Sequence, residues 1–520
     1  MKRVVIIGSG LGGLSCGVVL AKNGYQVTVL EQGYQVGGCL QCFTRKGVKF
    51  ETGMHFIGSA AEGQTLHRLM HYLEVDRDVH LSPLAPQGYD VVSIDGKKYR
   101  FAQGREAFIR QMTEYFPHQH DNLVKYYDLV ESIANASSLH SLKNTEMDSA
   151  INTEYQLRSI NEVIDSLITD PTLAKVLVGN LPLYAAEKDK TPFATHAFIM
   201  DFYNQSAFRI AGGSDVIAKS LVKTLEEYGG EVLTRRKVTE IVCDETHAVG
   251  VKAKLEAGSD VLRASEYDDV FIPCDYVISD AHPKRTLEML DTKLIRPAFR
   301  KRINAIPQTV GCFSVYLRFK EQVMPYMNYN YYGYEDGTPW DCEKYTKENW
   351  PKGFLYMHFC EETKGLEGSH PTVNIPHFAK SGVILSYMKK EDVERWKGTR
   401  VGHRGEDYEM FKKAKAEKLL DVLEKHFPGI RSQIADYYTS TPLTYLDYTG
   451  TEDGAMYGIA KDISMGAACR VPQRTRVPNV YQTGQNINSH GMLGVLVGTI
   501  VTCSEFLTLE KIYEEIKNEK

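Results

Sequence analysis

The amino-acid sequence predicts an α/β fold whose parallel sheet is assembled from discontinuous segments, with an α+β domain inserted between them. Three observations support this prediction. The N-terminus has an apolar strand, a glycine-rich turn and a helix; a second helix follows a double glycine at 212–213; and a strand, a loop and a helix close the chain after residue 480. Because 520 residues exceed the usual size of one hydrophobic core, we expect at least two domains.

The N-terminal segment has the pattern of one βαβ unit. Arg3–Gly8 is predicted to be a buried strand, Leu11–Lys22 a helix with apolar residues at three- and four-residue steps, and Gln26–Glu31 a second strand. Asn23-Gly24 supplies the expected end of the helix. The whole unit spans about 30 residues, as such units do, and it therefore predicts a Rossmann-type domain.

The turn between this strand and helix, Gly8-Ser9-Gly10-Leu11-Gly12-Gly13, has the form G-x-G-x-x-G. In this motif Gly8 permits the tight turn, Gly10 lets the backbone approach a pyrophosphate, and Gly13 lets helix and strand pack closely. The unpaired N–H groups at the start of the helix then face the phosphates. Glu31 ends the second strand, where a carboxylate accepts ribose hydroxyls and repels the 2′-phosphate of NADP. The motif predicts a dinucleotide site.

Further elements are predicted from the same periodicities. The helices are Asp215–Tyr228 and Leu493–Leu509, and the strands are Glu231–Thr234, Val238–Cys243, Ala248–Lys252, Tyr276–Ser279 and Val480–Thr483. Residues 75–205 have a mostly helical pattern, whereas residues 300–470 are rich in tyrosine and strand-like. We assign residues 1–75, 206–300 and 471–520 to the dinucleotide-binding domain, and residues 76–205 and 301–470 to a substrate domain.

Composition excludes some classes of partner. The formal net charge of -5 and the pI near 6.4 argue against nucleic acid as a partner, because nucleic acid binding needs a basic surface.

Met1-Lys2-Arg3 leads directly into the strand, without the apolar stretch of a signal peptide, so we expect a cytoplasmic protein and leave peripheral membrane contact open. The ten cysteines include one C-x-x-C pair, Cys39 and Cys42, and no second pair for zinc, so no metal is expected.

Three segments are similar to one group of flavoproteins. They are residues 53–58 (Gly-Met-His-Phe-Ile-Gly), residues 441–450, and residues 483–488 (Thr-Gly-Gln-Asn-Ile-Asn). Together with Gly37-Gly38 and Gly212-Gly213, they make the chain resemble the FAD-dependent phytoene desaturase, carotenoid isomerase and retinol saturase family of the amine oxidase superfamily. The resemblance extends from residue 3 to about residue 508. It implies FAD as the cofactor.

The resemblance also implies where FAD would lie. Val238 would hold the adenine through its backbone, Gly484 and Gln485 would follow the ribityl chain, and Met492 and Leu493 would place N–H groups at the pyrimidine edge, where a helix N-terminus stabilises negative charge. The remaining cofactor-binding residues are expected to be Gly8, Ser9, Gly10, Leu11, Gly12, Gly13, Glu31, Gln32 and Gly38. Two positions depart from the family pattern: Gln485 stands where many members have an acidic residue, and Cys39 where many desaturases have arginine.

Four residues are candidates for chemistry or substrate contact. The resemblance implies that the segment around His55 passes near the flavin and the substrate cavity, which makes His55 the candidate catalytic residue. Its ordinary pKa of about 6.5 suits a proton donor beside a carbon that receives hydride; the alternative is that it orders a loop or contacts FAD through its backbone. Tyr445, Asp447 and Tyr448 are candidates for lining a cavity for a flat conjugated substrate, although aromatic residues also fill ordinary cores. Asp280 is predicted to cap a helix.

The predicted function is an FAD-dependent oxidoreductase that saturates, desaturates or isomerises carbon–carbon double bonds of an apolar polyene, carotenoid, retinoid or isoprenoid-like lipid. NAD(P)H is left open as an external reductant, and the electron partner is unassigned. One alternative is a flavin-dependent dithiol reductase using Cys39 and Cys42, although a second dinucleotide motif is absent from the sequence. Others are an amine oxidase and a flavin-free escort of prenylated proteins; the intact glycine turn argues against the escort.

Overall fold

The structure is a computed structural model that describes residues 1–142, 149–255, 270–335, 337–360 and 376–518. Its first layer is a parallel sheet of five strands. In spatial order these are Glu231–Leu233, Gln26–Leu30, Arg3–Ile7, Tyr276–Ser279 and Val480–Gln482. The N-terminal strand is central, and the chain leaves it first to one side and later to the other. In such a sheet a ligand crevice opens beyond the carboxyl end of the central strand.

Alternate residues of the central strand pack into different cores. Val4 and Ile6 belong to a core on one face that includes residues of three helices, Leu11–Lys22, Asp215–Glu227 and Gly491–Cys503. Val5 and Ile7 face the opposite core, which includes residues of a three-stranded antiparallel sheet. The strands of that sheet are Arg236–Cys243, Ala248–Leu255 and Val270–Pro273. The continuous apolar run Val4–Ile7 therefore follows from burial on both faces of the sheet.

A second, seven-stranded sheet lies in the rest of the chain. Its spatial order is Ile434–Ser440, Gly311–Phe319, Ser381–Met388, Gly353–His358, Asn330–Tyr334, Asp90–Ile94 and Lys97–Phe101. All neighbouring pairs are antiparallel except Asn330–Tyr334 with Asp90–Ile94. The last two strands lie within residues 75–205, a segment whose other elements are mostly helical, as expected. They are joined by Asp95-Gly96, both at positive φ, an Asp-Gly hairpin turn that the helical pattern around it obscured.

Helices pack beside this second sheet, and their apolar faces share its core. They are Arg105–Tyr115, His120–Asn135, Ser149–Tyr155, Ile160–Leu167, Pro171–Leu177 and Phe193–Gln205. The short helix Ser138–Ser141 follows His120–Asn135 along the chain. The remaining α-helices are Thr65–Tyr72, Pro283–Glu288, Pro297–Asn304, Glu406–His426, Ile430–Gln433, Pro442–Thr449 and Leu509–Asn518. Two small sheets complete the strands: the hairpin Cys42–Arg45 with Val48–Glu51, and a three-stranded sheet of Ile57–Gly58, Ala207–Ile210 and Leu81–Pro83.

The C-terminal helix differs from its prediction. The predicted helix Leu493–Leu509 is Gly491–Cys503 in the structure, and a separate helix, Leu509–Asn518, follows it. The chain turns between them because Phe506 packs against the rings of Tyr276 and Tyr481 at the edge of the parallel sheet. Within the described residues, no helix is both long enough and apolar enough to cross a membrane.

Candidate active site

The glycine turn at residues 8–13 forms one wall of a large cavity. Gly8 has a φ of +95°, a backbone conformation that residues with side chains rarely adopt. A Cβ atom on Gly13 would overlap the carbonyl oxygen of Gly8, so the helix and the central strand pack as closely as the motif predicts. The residues of the turn that line the cavity are Gly8, Ser9, Gly10, Leu11 and Gly12.

Glu31 holds this turn in place. Its Oε2 accepts hydrogen bonds from the backbone N–H of Ser9 at 3.0 Å and from the Ser9 hydroxyl at 2.6 Å. Its Oε1 accepts from the backbone N–H of Gly33 at 2.7 Å. Glu31 and Gln32 also line the cavity, so the acidic residue lies where the sequence places a ribose-binding carboxylate.

The two ends of the chain meet at the turn. A Cβ atom on Gly12 would lie 2.8 Å from the backbone nitrogen of Gly484, and Gly484 and Gln485 line the same cavity. Gly38 also approaches closely, because a Cβ atom on it would lie 3.3 Å from Gly10 Cα. Glycines are therefore required here by backbone-to-backbone contact as well as by φ.

Asp280 is a site residue that the sequence analysis assigned to another role. It does not cap the helix Pro283–Glu288; the cap is His282, whose ring nitrogen accepts from the backbone N–H of Lys284. Instead its carboxylate lies between the two glycine turns, where a Cβ atom on Gly10 or Gly484 would overlap it. Burial raises the pKa of Asp280 to about 7, although N–H groups of the turn favour the charged form.

The helix Gly491–Cys503 points its N-terminus at the cavity. Gly491 has a φ of +76°, and the preceding residue, His490, makes no side-chain cap bond, which leaves the first N–H groups of the helix for another acceptor. Met492 lines the cavity, whereas Leu493 packs into the helical core behind it. Val238 lines the cavity at an irregularity in its strand, where pairing shifts between Val238 and Glu240.

The cavity has a volume of about 980 Å³ and continues beyond the glycine turn into an apolar chamber. That volume is at the upper end for small-molecule sites, so the cavity has room for a dinucleotide and for part of a second molecule. The chamber walls come from both sheets and from the helical block, and they include Phe56, Leu183, Tyr203, Leu355, Met357, Leu385 and Tyr457.

His55 lies at the boundary between the turn and the chamber. It lines the cavity and stacks on Phe359 with ring centroids 5.6 Å apart. Its Nδ1 lies 3.7 Å from Oε2 of Glu51, whose side chain is only 3% exposed. Burial raises the pKa of Glu51, opposed by His55 and by Arg209. Sequence reasoning did not identify Glu51 or Arg209; the four-residue spacing of Glu51 and His55 was the available signal.

The three candidate substrate residues line the cavity at different depths. Tyr445 donates its hydroxyl hydrogen to the carbonyl oxygen of Thr52 at 2.8 Å, which leaves its ring as the exposed part in the cavity. Asp447 is paired with Arg404. Tyr448 is 47% exposed, so it lies at the mouth of the cavity. The structure brings all three to one cavity, and their contact with substrate stays a prediction.

The described residues fit FAD. A glycine cradle that any Cβ atom would fill, a ribose-side carboxylate and an uncapped helix N-terminus are the features that adenine dinucleotide and flavin groups need. The turn at residues 8–13 with Glu31 would hold the ADP half, and the loop at 484–485 would follow the ribityl chain. The first turn of Gly491–Cys503 would face the pyrimidine edge of the ring.

Residues 11–496 match the family described as flavin containing amine oxidoreductase. The chain belongs to this family. Among curated relatives of this flavoenzyme, all-trans-retinol 13,14-reductase of Rattus norvegicus is 29% identical over 99% of the chain and 86% of that protein. Prolycopene isomerase 1, chloroplastic, of an Oncidium hybrid cultivar is 24% identical over 93% of the chain and 79% of that protein.

A solved structure supports the fold independently. An oxidoreductase from Methanosarcina mazei superimposes with a TM-score of 0.63 at 16% identity, covering 96% of this chain and 100% of that one. The comparisons confirm the predicted family resemblance, the α/β FAD-binding fold and an FAD-dependent oxidoreductase. The predicted action on carbon–carbon double bonds agrees with the names of both curated relatives.

The dithiol alternative is disfavoured by the two cysteines themselves. Burial raises the pKa of Cys39 to about 11 and that of Cys42 to about 12, so neither forms the thiolate that disulfide exchange needs. Cys42 also lies 3.4 Å from the hydroxyl of Ser214 and is buried, and only Cys39 lines the cavity. Cys42 is packed away from the cavity, and Cys39 lies in the cavity wall.

Proposed function

We propose that this flavoenzyme adds two hydrogens across a carbon–carbon double bond of a conjugated polyene alcohol of the retinol type. The observation that carries the proposal is the apolar chamber, which continues the FAD cavity without a break and has aromatic and aliphatic walls. An elongated, flat and apolar molecule suits such walls. A curated relative that matches 99% of the chain is named for reduction of all-trans-retinol, which supports reduction as the direction.

The chain's own residues supply orientation, a dry environment and a proton. FAD, when bound and reduced, supplies hydride chemistry at its ring. Leu355, Met357 and Leu385 exclude water from the chamber. His55 lies at its inner boundary, where an imidazolium N–H donates a proton to the carbon next to the one that receives hydride. One hydride and one proton then complete the saturated bond.

The same chamber argues against amine oxidation. An ammonium substrate needs an unpaired carboxylate or an aromatic cage. Asp447, at the side of the cavity, is already paired with Arg404, and Glu31 is bonded to the turn. External reduction by NAD(P)H and peripheral contact with a membrane both stay predictions.

The proposal is tested by anaerobic reduction of the purified holoenzyme, followed by addition of all-trans-retinol, a linear carotene or a saturated fatty alcohol. We expect the flavin to reoxidise only with a conjugated substrate, and we expect mass spectrometry to show a product with two more hydrogens. The saturated alcohol is the control for non-specific reoxidation.

Three results would contradict the proposal. Loss of two hydrogens would indicate desaturation, and a changed shape at constant mass would indicate isomerisation. Purified protein that stays colourless after reconstitution with FAD would remove its basis altogether.

A further inference from the structure

Behind the cavity wall, His55 is backed by a buried carboxylate and a buried guanidinium. Glu51 ends the strand Val48–Glu51 and is 2% exposed, and Arg209 lies in Ala207–Ile210 and is 1% exposed. His55 Nδ1 lies 3.7 Å from Glu51 Oε2, and Arg209 Nη1 donates to the carbonyl oxygen of His55 at 3.2 Å. We call these three residues the Glu51–His55–Arg209 cluster.

Each member of the cluster has a buried polar atom without a hydrogen-bond partner among the described residues. The atoms are Glu51 Oε2, His55 Nδ1 and Arg209 Nε. A buried polar atom left without a partner is destabilising, so three together are unusual for a part of the core that only packs. A small approach of the imidazole to the carboxylate would satisfy two of them, and catalytic hydrogen bonds are often long before substrate binds.

Burial and the neighbouring charges act on the Glu51 carboxyl in opposite directions. Burial alone raises the pKa of Glu51, but Arg209, which is always charged, stabilises the carboxylate. Cys42 and Tyr326 act electrostatically on Glu51, and burial raises the pKa of each, so both stay neutral. Asp90 and His358 act electrostatically on Arg209. The net arrangement is two cations around one carboxylate when His55 holds its second proton.

We propose that Glu51 is the positioning residue of His55: its carboxylate, stabilised electrostatically by Arg209, binds the Nδ1–H group and leaves Nε2 to give the proton to the substrate carbon. This inference rests on the proposed function and names the residue that sets the tautomer. The Nε2–H bond breaks and a carbon–hydrogen bond forms, while the hydride comes from reduced FAD. The imidazole remains neutral with its proton on Nδ1, and Nε2 takes up a proton from solvent once the product has left.

The first test does not depend on any substrate. Holoenzyme is treated with diethyl pyrocarbonate across a pH series, and peptide mass mapping follows the rate at His55, because only the neutral imidazole reacts. We expect the pH midpoint at His55 to fall by about one unit in Glu51→Gln, since the variant loses the carboxylate that stabilises the imidazolium. Glu51→Asp keeps the charge at a greater distance and should give an intermediate midpoint.

The second test uses turnover of all-trans-retinol. In Glu51→Gln we expect kcat to fall by about 100-fold while KM changes by less than about twofold, because only the proton-transfer step loses its oriented donor. The alkaline limb of the kcat profile should move to lower pH together with the His55 midpoint. Glu51→Asp should recover part of kcat and part of the shift in the alkaline limb. It serves as the test variant if Glu51→Gln does not fold.

Asp90→Asn is the matched control. Asp90 is a second buried carboxylate that interacts electrostatically with Arg209, but it accepts a hydrogen bond from Asn330 and does not line the cavity. We expect it to leave the His55 midpoint unchanged. An equal shift in Asp90→Asn, or an unchanged midpoint in Glu51→Gln, would overturn the positioning role. Wild-type enzyme that reduces no polyene would overturn the proposed function instead, whatever the modification series shows.

Discussion

The dinucleotide end and the chamber end of the cavity are built in different ways. At the dinucleotide end, backbone meets backbone: Gly13 packs on Gly8, and Gly12 packs on Gly484. At the chamber end, His55, Glu51 and Arg209 are side chains brought together from separate strands and loops. A substitution at the first end should therefore remove the cofactor, whereas one at the second end should change turnover while the cofactor stays bound.

The largest expected effect that sharpens this contrast is at Gly13. Gly13→Ala should weaken FAD binding by at least about 100-fold, because the added methyl overlaps the Gly8 carbonyl and forces the helix off the strand. FAD binding is measured by the flavin absorbance of the purified protein and by titration with FAD. Gly17→Ala is the control in the same helix, because its methyl would meet the flexible side chain of Leu225 at 3.3 Å. Equal loss in both variants would contradict the close-packing explanation.

The next effect is a pH dependence at the dinucleotide end. The pKa of Asp280 is raised to about 7 by burial, so its carboxyl is neutral below that pH and negative above it. The negative form repels the pyrophosphate, and Glu31, which also faces Asp280, adds to the negative charge. Between pH 6 and pH 8 we expect the Kd for FAD to rise by about tenfold, as one linked proton requires.

Two variants decide whether this proton belongs to Asp280. Asp280→Asn, which stays neutral, should bind FAD with a Kd that is nearly constant over the same pH range. Asp275 is an exposed acid that precedes the strand Tyr276–Ser279, whereas Asp280 follows it. Asp275→Asn should therefore keep the pH dependence of the Kd for FAD that wild type shows. A flat wild-type profile, or a sloping one in Asp280→Asn, would contradict the assignment.

The same difference explains which parts were predictable from the sequence. The strand, turn and helix around Gly8–Gly13 follow from local spacing, and the structure places the helix at Leu11–Lys22 as predicted. Asp280 was predicted to be a helix cap because its neighbours in the sequence suggested one. Its position beside the glycine turn depends on the strand order, which puts Tyr276–Ser279 next to the central strand. Local spacing carries no information about that order.

The chamber end was less predictable for a related reason. His55 was identified through the family resemblance, but Arg209 reaches it from a strand that pairs with Ile57–Gly58, a contact between segments about 150 residues apart. The strands Asp90–Ile94 and Lys97–Phe101 were hidden within a helical pattern, although their Asp-Gly turn was visible. Side chains that act through burial and long-range pairing need the tertiary structure to be recognised.

A smaller effect is expected at Tyr445, between the two ends. Tyr445→Phe removes the hydrogen bond to the Thr52 carbonyl but keeps the ring in the cavity wall. The free energy of unfolding should fall by about 1 kcal/mol, measured in urea, while the Kd for FAD stays unchanged. Loss of FAD in this variant would show that the boundary between the two ends is not where the structure places it.

The smallest expected effect concerns the two cysteines of the C-x-x-C pair. Cys39→Ser and Cys42→Ser should each leave polyene turnover within about twofold of wild type, because burial keeps both sulfurs protonated and outside the chemistry. Cys42→Ser should lower the free energy of unfolding more than Cys39→Ser, since Cys42 is more deeply buried and a hydroxyl there replaces an apolar thiol. If both variants lost turnover but kept their stability, a dithiol mechanism would be supported instead. Chemistry would then take place at the dinucleotide end of the cavity, which we propose is defined by backbone packing alone.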